Sequence, residues 1–561
     1  MTATTPPAGS PPSEGRHLRR DIGRIGLLFT GVGSIIGSGW LFGAMNAAQL
    51  AGPAAIFSWL IAGIMIMLIG LSFSELGTMF PVTGGVVRFP HYTWGGFASY
   101  SMGWITWIAA AVVPSIEVTG TLQYATKWFP FTTAHMVDGE TVHTLTAPGF
   151  VAAIVLLALY CIINVIGVKF FAQINNVLVW WKLAVIIVVI VLFLVTAFNA
   201  ANFTSHGFFL SPSKDNPGGI QSVFTAISTA GITFSYLGFR QGIELAGETS
   251  NPKKNVPFAV IGSVAICTLI YIGLQIAFIA AVSPADIAKS GGWPGLEFTN
   301  DFGPLAAIAS AIGLAWLAVV LYIDSVISPG DTGLIYTAVT SRLGYTMAKN
   351  GNAPQSVASL TKSGVPWVST IITFVISLIM LLPFPSWQQL VGLVTSATVM
   401  SFGAGPLAHA ALRRSLPDRP RPFRLGGGDV IPFLAFFSSN MIIYWTGWST
   451  NAKFFLIIVL GFVVMAIFMA TKTIDTSKMD WKAGATWIVP WLAGLALISY
   501  LGDLDGGLGV FAGVPMGFVV NLVWSAVIYA IAVRMRLPKE RVEEIIETTP
   551  HDEIEEEVAA H

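Results

Sequence analysis

Apolar residues run along this chain in stretches of about 20 or more, long enough as helices to cross a hydrocarbon core of about 30 Å. Polar residues gather between these stretches and do not line one face of each, so the pattern is that of membrane spans and not of surface helices. Fourteen spans are predicted, near residues 25–50, 53–78, 97–127, 148–166, 173–198, 221–247, 257–283, 303–328, 366–384, 387–411, 431–449, 453–471, 485–502 and 510–533. The predicted fold class is an all-α polytopic membrane protein. Composition agrees: of 561 residues, 54% are hydrophobic and only 10% charged, where soluble domains carry about 25% charged residues. The formal net charge of zero gives no case for a nucleic-acid partner. Cys161 and Cys267 lie far apart in apolar runs and are expected as small buried hydrophobes, with no metal site.

Charge orients the spans. With the first end cytoplasmic, only Lys127, Lys214, Lys289 and Lys453 of the 29 Lys and Arg residues fall outside. Lys182 and Arg240 lie within spans, and all the others are cytoplasmic, the bias that positive loops impose. One span more or fewer would scramble it. Both termini are therefore expected in the cytoplasm, with the chain in the cytoplasmic membrane. Residues 1–20 are expected as a disordered tail, 21–411 as a ten-helix core, 412–537 as four additional spans and 538–561 as an acidic, solvated tail.

Two spans interrupt themselves. Residues 31–40, GVGSIIGSGW, hold four glycines and two serines between apolar flanks, although glycine costs about 1 kcal/mol against alanine inside a helix. Residues 231–248, GITFSYLGFRQGIELAGE, repeat the feature in the sixth span. Irregular backbone at membrane depth is tolerated where it lines a cavity. Breaks at corresponding places in two halves point to a secondary transporter's site, whereas close packing through small residues is the plainer alternative for either break alone.

The stretches GVGSIIGSGWLFG, AGPAAIFSWLIAG, SELGTMFPVTGG and FSYLGF…AGETSNPKKNVP resemble the amino acid–polyamine–organocation transporter superfamily. Within it, SIEVTG, ISPGDTG, TSRLGY, LPFPSWQQLV and YWTGWST are similar to the bacterial aspartate–proton symporters, from about residue 22 to 537. The resemblance implies an inverted five-plus-five helix repeat, with substrate held between broken helices 1 and 6. It places the substrate carboxylate on the amides of Gly37, Ser38 and Gly39, where a helix N-terminus carries partial positive charge. The α-ammonium would meet carbonyls near Ser34, Ile35, Phe234 and Leu237, with Phe234 and Tyr236 as walls or lids.

Charged residues within spans cost about 2.5–3.5 kcal/mol each on insertion scales and call for a role. Lys182 occupies the position where, by the resemblance, proton-coupled members carry a lysine in place of a sodium ion. It is either the proton carrier or a fixed tether to carbonyls of the first break. Arg240 either clamps a substrate side-chain carboxylate or neutralises Glu244 one turn away. Glu117 and Asp324 either pair with Lys182 or Arg240 or carry protons themselves. Ser325 and Ser328 offer a cation site only as a minor alternative, so sodium is the less expected coupling ion.

No H-E-x-x-H or Walker pattern supports an enzyme, and a channel has no need of paired breaks around a small site. The expected function is import of an amino acid, foremost L-aspartate, by proton symport with alternating access and without a cofactor. Exchange, or proton symport of a neutral amino acid, is the alternative within transport. A transporter-like nutrient sensor is the alternative from another class.

Overall fold

A computed structural model describes residues 22–137, 140–213, 216–298, 303–361, 363–383 and 386–548, though not the side chains of 136, 137, 140, 141 and 167–175. The tail expected over residues 1–20, and the end of the acidic segment beyond 548, lie outside the described residues. Each of the fourteen stretches holds a helix or a broken helix. Ten described helical stretches are long and apolar enough to cross a membrane, and an eleventh is a pair bent by 50°, Gly219–Thr229 with Phe234–Glu244. Arg24–Ile35, Trp367–Leu381 and Val430–Trp445 are shorter apolar helices. The fourth and fifth spans, Ala147–Ile166 and Asn176–Thr196, belong to one helical run, Ala147–Thr196. The chain is thus an all-α polytopic membrane protein, with helices 1 and 6 broken.

Local chemistry explains several element ends. Thr146 opens the fourth span by accepting the Gly149 amide on its side chain, and Ser386 opens the tenth, Trp387–Ser415, by accepting that of Gln389. Within the eighth span, Ala315–Lys349, Pro329 has no N–H for the Ser325 carbonyl. The Thr121 hydroxyl of the third span, Gly96–Ala125, donates to that carbonyl at 2.9 Å. A helix break is thereby converted into a tie between two spans.

The structure corrects the sequence-based boundaries in three places. The eighth span was expected over 303–328; instead Pro304–Ala311 is a short separate helix, and the span follows Gly313, whose φ of 82° ends it. The polar stretch SPGDTG, expected beyond the membrane span, is therefore helical and buried: Ser328, Asp331 and Thr332 are all within 2% of full burial. Between the second and third spans, Gly85–Trp94 is a helix packed beneath the sixth span, with the Gly84 amide donating to the Glu244 carbonyl at 3.1 Å. On the opposite face, Thr132–Val137 and Glu140–Leu145 form an antiparallel hairpin, Thr132 opposite Leu145. Thr144 of this hairpin bridges to Ser386, the residue before Trp387.

The last two spans, Trp481–Leu501 and Val514–Arg534, are fastened by buried polar groups. Trp491 donates to Asn440 Oδ1 at 3.0 Å, Asn440 donates to Ser525 at 2.8 Å, and Asn451 joins Ser396 to Ser499. Side-chain hydrogen bonds of this kind act as glue between spans. Of the segment expected as a solvated acidic tail, Lys539–Thr548 is a helix whose Val542 and Ile545 are buried, and Arg541 pairs with Asp480 at 3.1 Å.

On the face that carries Arg24, the second span (Ala55–Met79) is locked to the tenth. Glu75 is fully buried, accepts two hydrogen bonds from Arg413 and one from the Leu425 amide, and lies 3.1 Å from His409 Nε2. Removing one member of a buried charge cluster leaves the others uncompensated. Glu75→Gln is therefore expected to destabilise the protein by about 3–5 kcal/mol, read as a lower thermal midpoint in detergent. An unchanged midpoint would show that the cluster contributes nothing to stability.

Candidate functional site

The two breaks touch backbone to backbone. Between Arg24–Ile35 and Gly39–Ala51 the helix opens at Ile36, Gly37 and Ser38, and the sixth span opens at residues 230–233, where Gly231 has φ 86°. A side chain on Gly238 would stand 2.3 Å from the Ser34 carbonyl carbon and 2.4 Å from the Ile35 nitrogen. The glycine is what lets the breaks meet. Ser34 Oγ is buried beside this contact with no hydrogen-bond partner among the described residues.

The carbonyl end of the first half-helix is crowded with donors, as its partial negative charge favours. Lys182 donates to the Gly33 carbonyl at 2.8 Å, and Tyr271 donates to that of Ile35 at 3.1 Å. The Thr332 hydroxyl lies 3.1 Å from the Gly33 carbonyl and 3.3 Å from that of Ile36. Lys182 also forms an ion pair of 2.6 Å with Asp331, both side chains fully buried. The amide end is occupied differently. The Ser38 amide donates to Glu117 Oε2 at 2.7 Å, and a side chain on Gly37 would stand 2.6 Å from Glu117 Oε1. Gly39 lies against Ser235 and Phe234. Trp387 covers the break, donating from its indole to the Ser38 hydroxyl at 2.8 Å and packing on Phe42 and Phe234.

Residues 22–493 match the family model described as amino acid permease. The chain belongs to the amino acid permease family. The permease is 40% identical over 497 residues to the glutamate/serine transporter AimA of Bacillus subtilis, covering 88% of this chain and 90% of that one. To the aspartate-proton symporter of the same organism it is 35% identical over 531 residues, covering 94% and 98%. The branched-chain amino acid permease BcaP, again from B. subtilis, is 26% identical over 462 residues, covering 81% and 94%.

In the permease, the intramembrane charges pair otherwise than the sequence suggested. Lys182 takes neither Glu117 nor Asp324 as its ion-pair partner; it takes Asp331. Asp331 lies three residues past 328, where hydropathy ends the eighth span. Its signal was present in ISPGDTG, a polar motif whose burial no hydropathy window reports. Asp324 instead accepts from the Trp181 indole at 2.9 Å and the Ser328 hydroxyl at 2.8 Å. Arg240 and Glu244 attract each other across one turn without a direct hydrogen bond. Arg240 is fully buried, none of its three side-chain nitrogens has a hydrogen-bond partner among the described residues, and both Glu244 carboxylate oxygens are likewise unpartnered. The guanidinium lies 5.4 Å from the centre of the Tyr336 ring.

Of the two aromatic candidates, Phe234 packs against Trp387, edge to face. Tyr236 turns away from the break, donating to the Trp59 carbonyl at 3.1 Å and packing between Trp59 and Tyr271. Leu237 is buried beside Gly238.

Proposed function

We propose that this permease imports an acidic amino acid, foremost L-aspartate, by proton symport across the cytoplasmic membrane, with both termini in the cytoplasm. The observation that carries the reading is Arg240, a buried guanidinium beside the sixth-span break with no hydrogen-bond acceptor among the described residues. The names of the two more identical relatives, one a glutamate/serine transporter and one an aspartate-proton symporter, support the same substrate class. The α-carboxylate would lie on the amides of Gly37, Ser38 and Gly39, the α-ammonium on carbonyls around Ser34, Ile35, Phe234 and Leu237, and the side-chain carboxylate on Arg240. Phe234 and Trp387 wall the site, while Tyr236 braces the sixth span from behind.

Protons enter this scheme at Glu117, Lys182 and Asp324. Glu117 holds the amide that the substrate carboxylate needs. Protonated, it loses the charge that makes it the better acceptor and yields the amide, so a proton and a substrate load together. Lys182 and Asp331 form the second proton-sensitive pair, fastened to the first break through the Gly33 carbonyl. The proton is the coupling ion, no cofactor is required, and sodium is the minor alternative.

Purified protein in sealed liposomes tests this. A pH difference of one unit supplies about 1.4 kcal/mol per proton, and 100 mV supplies about 2.3 kcal/mol per charge. Aspartate carries −1, so a one-proton cycle is electroneutral: an inward proton gradient should concentrate labelled L-aspartate and voltage should do little. Accumulation under neither gradient, with entry accelerated by unlabelled amino acid inside, would replace symport by exchange. Arg240→Ala is expected to cut aspartate uptake about tenfold to a hundredfold, the worth of a charge-assisted hydrogen bond, and serine uptake far less. Equal losses for both amino acids would make Arg240 structural.

A further inference from the structure

Arg240 does not stand alone. Gln241 is fully buried with its side chain against Tyr336, and Glu244, 3% exposed, has no hydrogen-bond partner for either carboxylate oxygen among the described residues. Arg240 and Glu244 sit four apart in Phe234–Glu244, one turn along the same face. No hydrogen bond joins them. Tyr336 of the eighth span comes up to them from across: its ring lies under the Arg240 guanidinium, and it stands in electrostatic range of Glu244 and of Glu117 as well. The cluster therefore adjoins the breaks on one side. On the other it is sealed by contacts of the Arg24-bearing face. The Gly84 amide donates to the Glu244 carbonyl, Ile22 bridges to Thr249, and Arg342 lies 3.5 Å from Glu248.

A buried cation and a buried anion that stand one turn apart without bonding call for something between them. A lone anion would suit Arg240 but be repelled by Glu244, and a lone cation would meet the reverse. One class of small molecule carries both complements side by side: the zwitterionic head of an α-amino acid. We infer that Arg240, Gln241 and Glu244, faced by Tyr336, form a second amino-acid station between the breaks and the cytoplasmic seal. It receives the head group after it leaves the breaks and before release. As the molecule moves about one helical turn, roughly 5 Å, its α-carboxylate passes from the amides of the first break to Arg240 and displaces any side-chain carboxylate held there. Its ammonium exchanges the carbonyls of the breaks for Glu244, and the Gln241 amide serves either end. The station recognises the part that all α-amino acids share and so adds no preference for an acidic side chain.

This inference rests on the transport reading above, including a cytoplasmic first end. The test compares the two faces of the full-length protein, with labelled L-aspartate entering right-side-out and everted membrane vesicles. Glu244→Gln is expected to raise the half-saturating concentration about tenfold in everted vesicles and less than threefold in right-side-out ones. Gln241→Leu should produce a smaller shift of the same one-sided kind. Glu244→Asp, which keeps the charge, should restore at least half of the lost affinity. It also carries the comparison if Glu244→Gln does not fold. Equal shifts on both faces, or none on either, overturn the station. If the unsubstituted protein takes up no acidic amino acid in right-side-out vesicles, the substrate reading fails separately. The two-faced comparison is then run with L-serine, and one-sidedness still decides the station.

Discussion

Replacing Lys182 with methionine is expected to abolish accumulation of aspartate against its gradient, the ratio reached under a one-unit pH difference falling from about tenfold to about one, and to weaken the fold as well. The two effects have one origin. Lys182 spends all three of its donors at the break: on the Gly33 carbonyl at 2.8 Å, on Asp331 at 2.6 Å and, more loosely, on the Thr332 hydroxyl at 3.4 Å. Methionine is one atom shorter and apolar, and it leaves Asp331 as a fully buried charge without its ion-pair partner, which costs about 3–5 kcal/mol. The double substitution Lys182→Met with Asp331→Leu separates the roles. Replacing both members of a buried pair by apolar residues is often neutral for stability, so the thermal midpoint should recover while accumulation does not. If Lys182→Met still accumulates aspartate with an unaltered pH dependence, the lysine is a tether and not the coupling group.

The second large effect runs against helix propensity. Alanine is favoured over glycine in a helix by about 1 kcal/mol, so local reasoning gives Gly238→Ala as mildly stabilising. Packing gives the opposite sign. The added methyl would meet the Ser34 carbonyl oxygen at 2.5 Å, its carbon at 2.3 Å and the Ile35 nitrogen at 2.4 Å. All three are backbone atoms of the first break and cannot swing aside as a side chain would. The breaks must part, and the carbonyls offered to a substrate move with them. Transport of every substrate is expected to fall to background, with correctly inserted protein still present by fluorescence-detected chromatography. Retention of more than a third of the uptake rate would mean that the breaks already stand apart during turnover.

The spans and both breaks were legible because they rest on terms that a sequence prints: runs of apolar residues, and glycine and serine where a helix should continue. Lys182, Glu117 and Arg240 stood out in the sequence as candidates because charge in a membrane is costly wherever it lies. Partnership was not legible. Asp331 sits in a stretch polar enough to pass for a loop, and its burial shows only once the fifth span brings Lys182 against it. Gly85–Trp94 is too short and polar to register as a span, yet nine of its ten residues are buried, chiefly against the third and tenth spans. The hairpin Thr132–Leu145 depends on a cross-strand register that no single strand announces. Likewise, nothing in SIEVTG tells that Glu117 reaches the Ser38 amide from the neighbouring span. Such contacts depend on how helices rotate about their axes, which a nearly uniform apolar surface leaves undetermined.

That last contact bears on the return half of a transport cycle. A carrier that delivers cargo in one net direction must also close with nothing aboard, and closing then entombs a naked N–H at the opened helix end. An amide buried without an acceptor costs about 1–3 kcal/mol, which would hold the vacant carrier at the threshold until cargo came. Here the Glu117 carboxylate sits where the cargo's own would sit. The vacant protein thus carries its own understudy for the missing ligand, and can shut and turn over without waiting for a passenger.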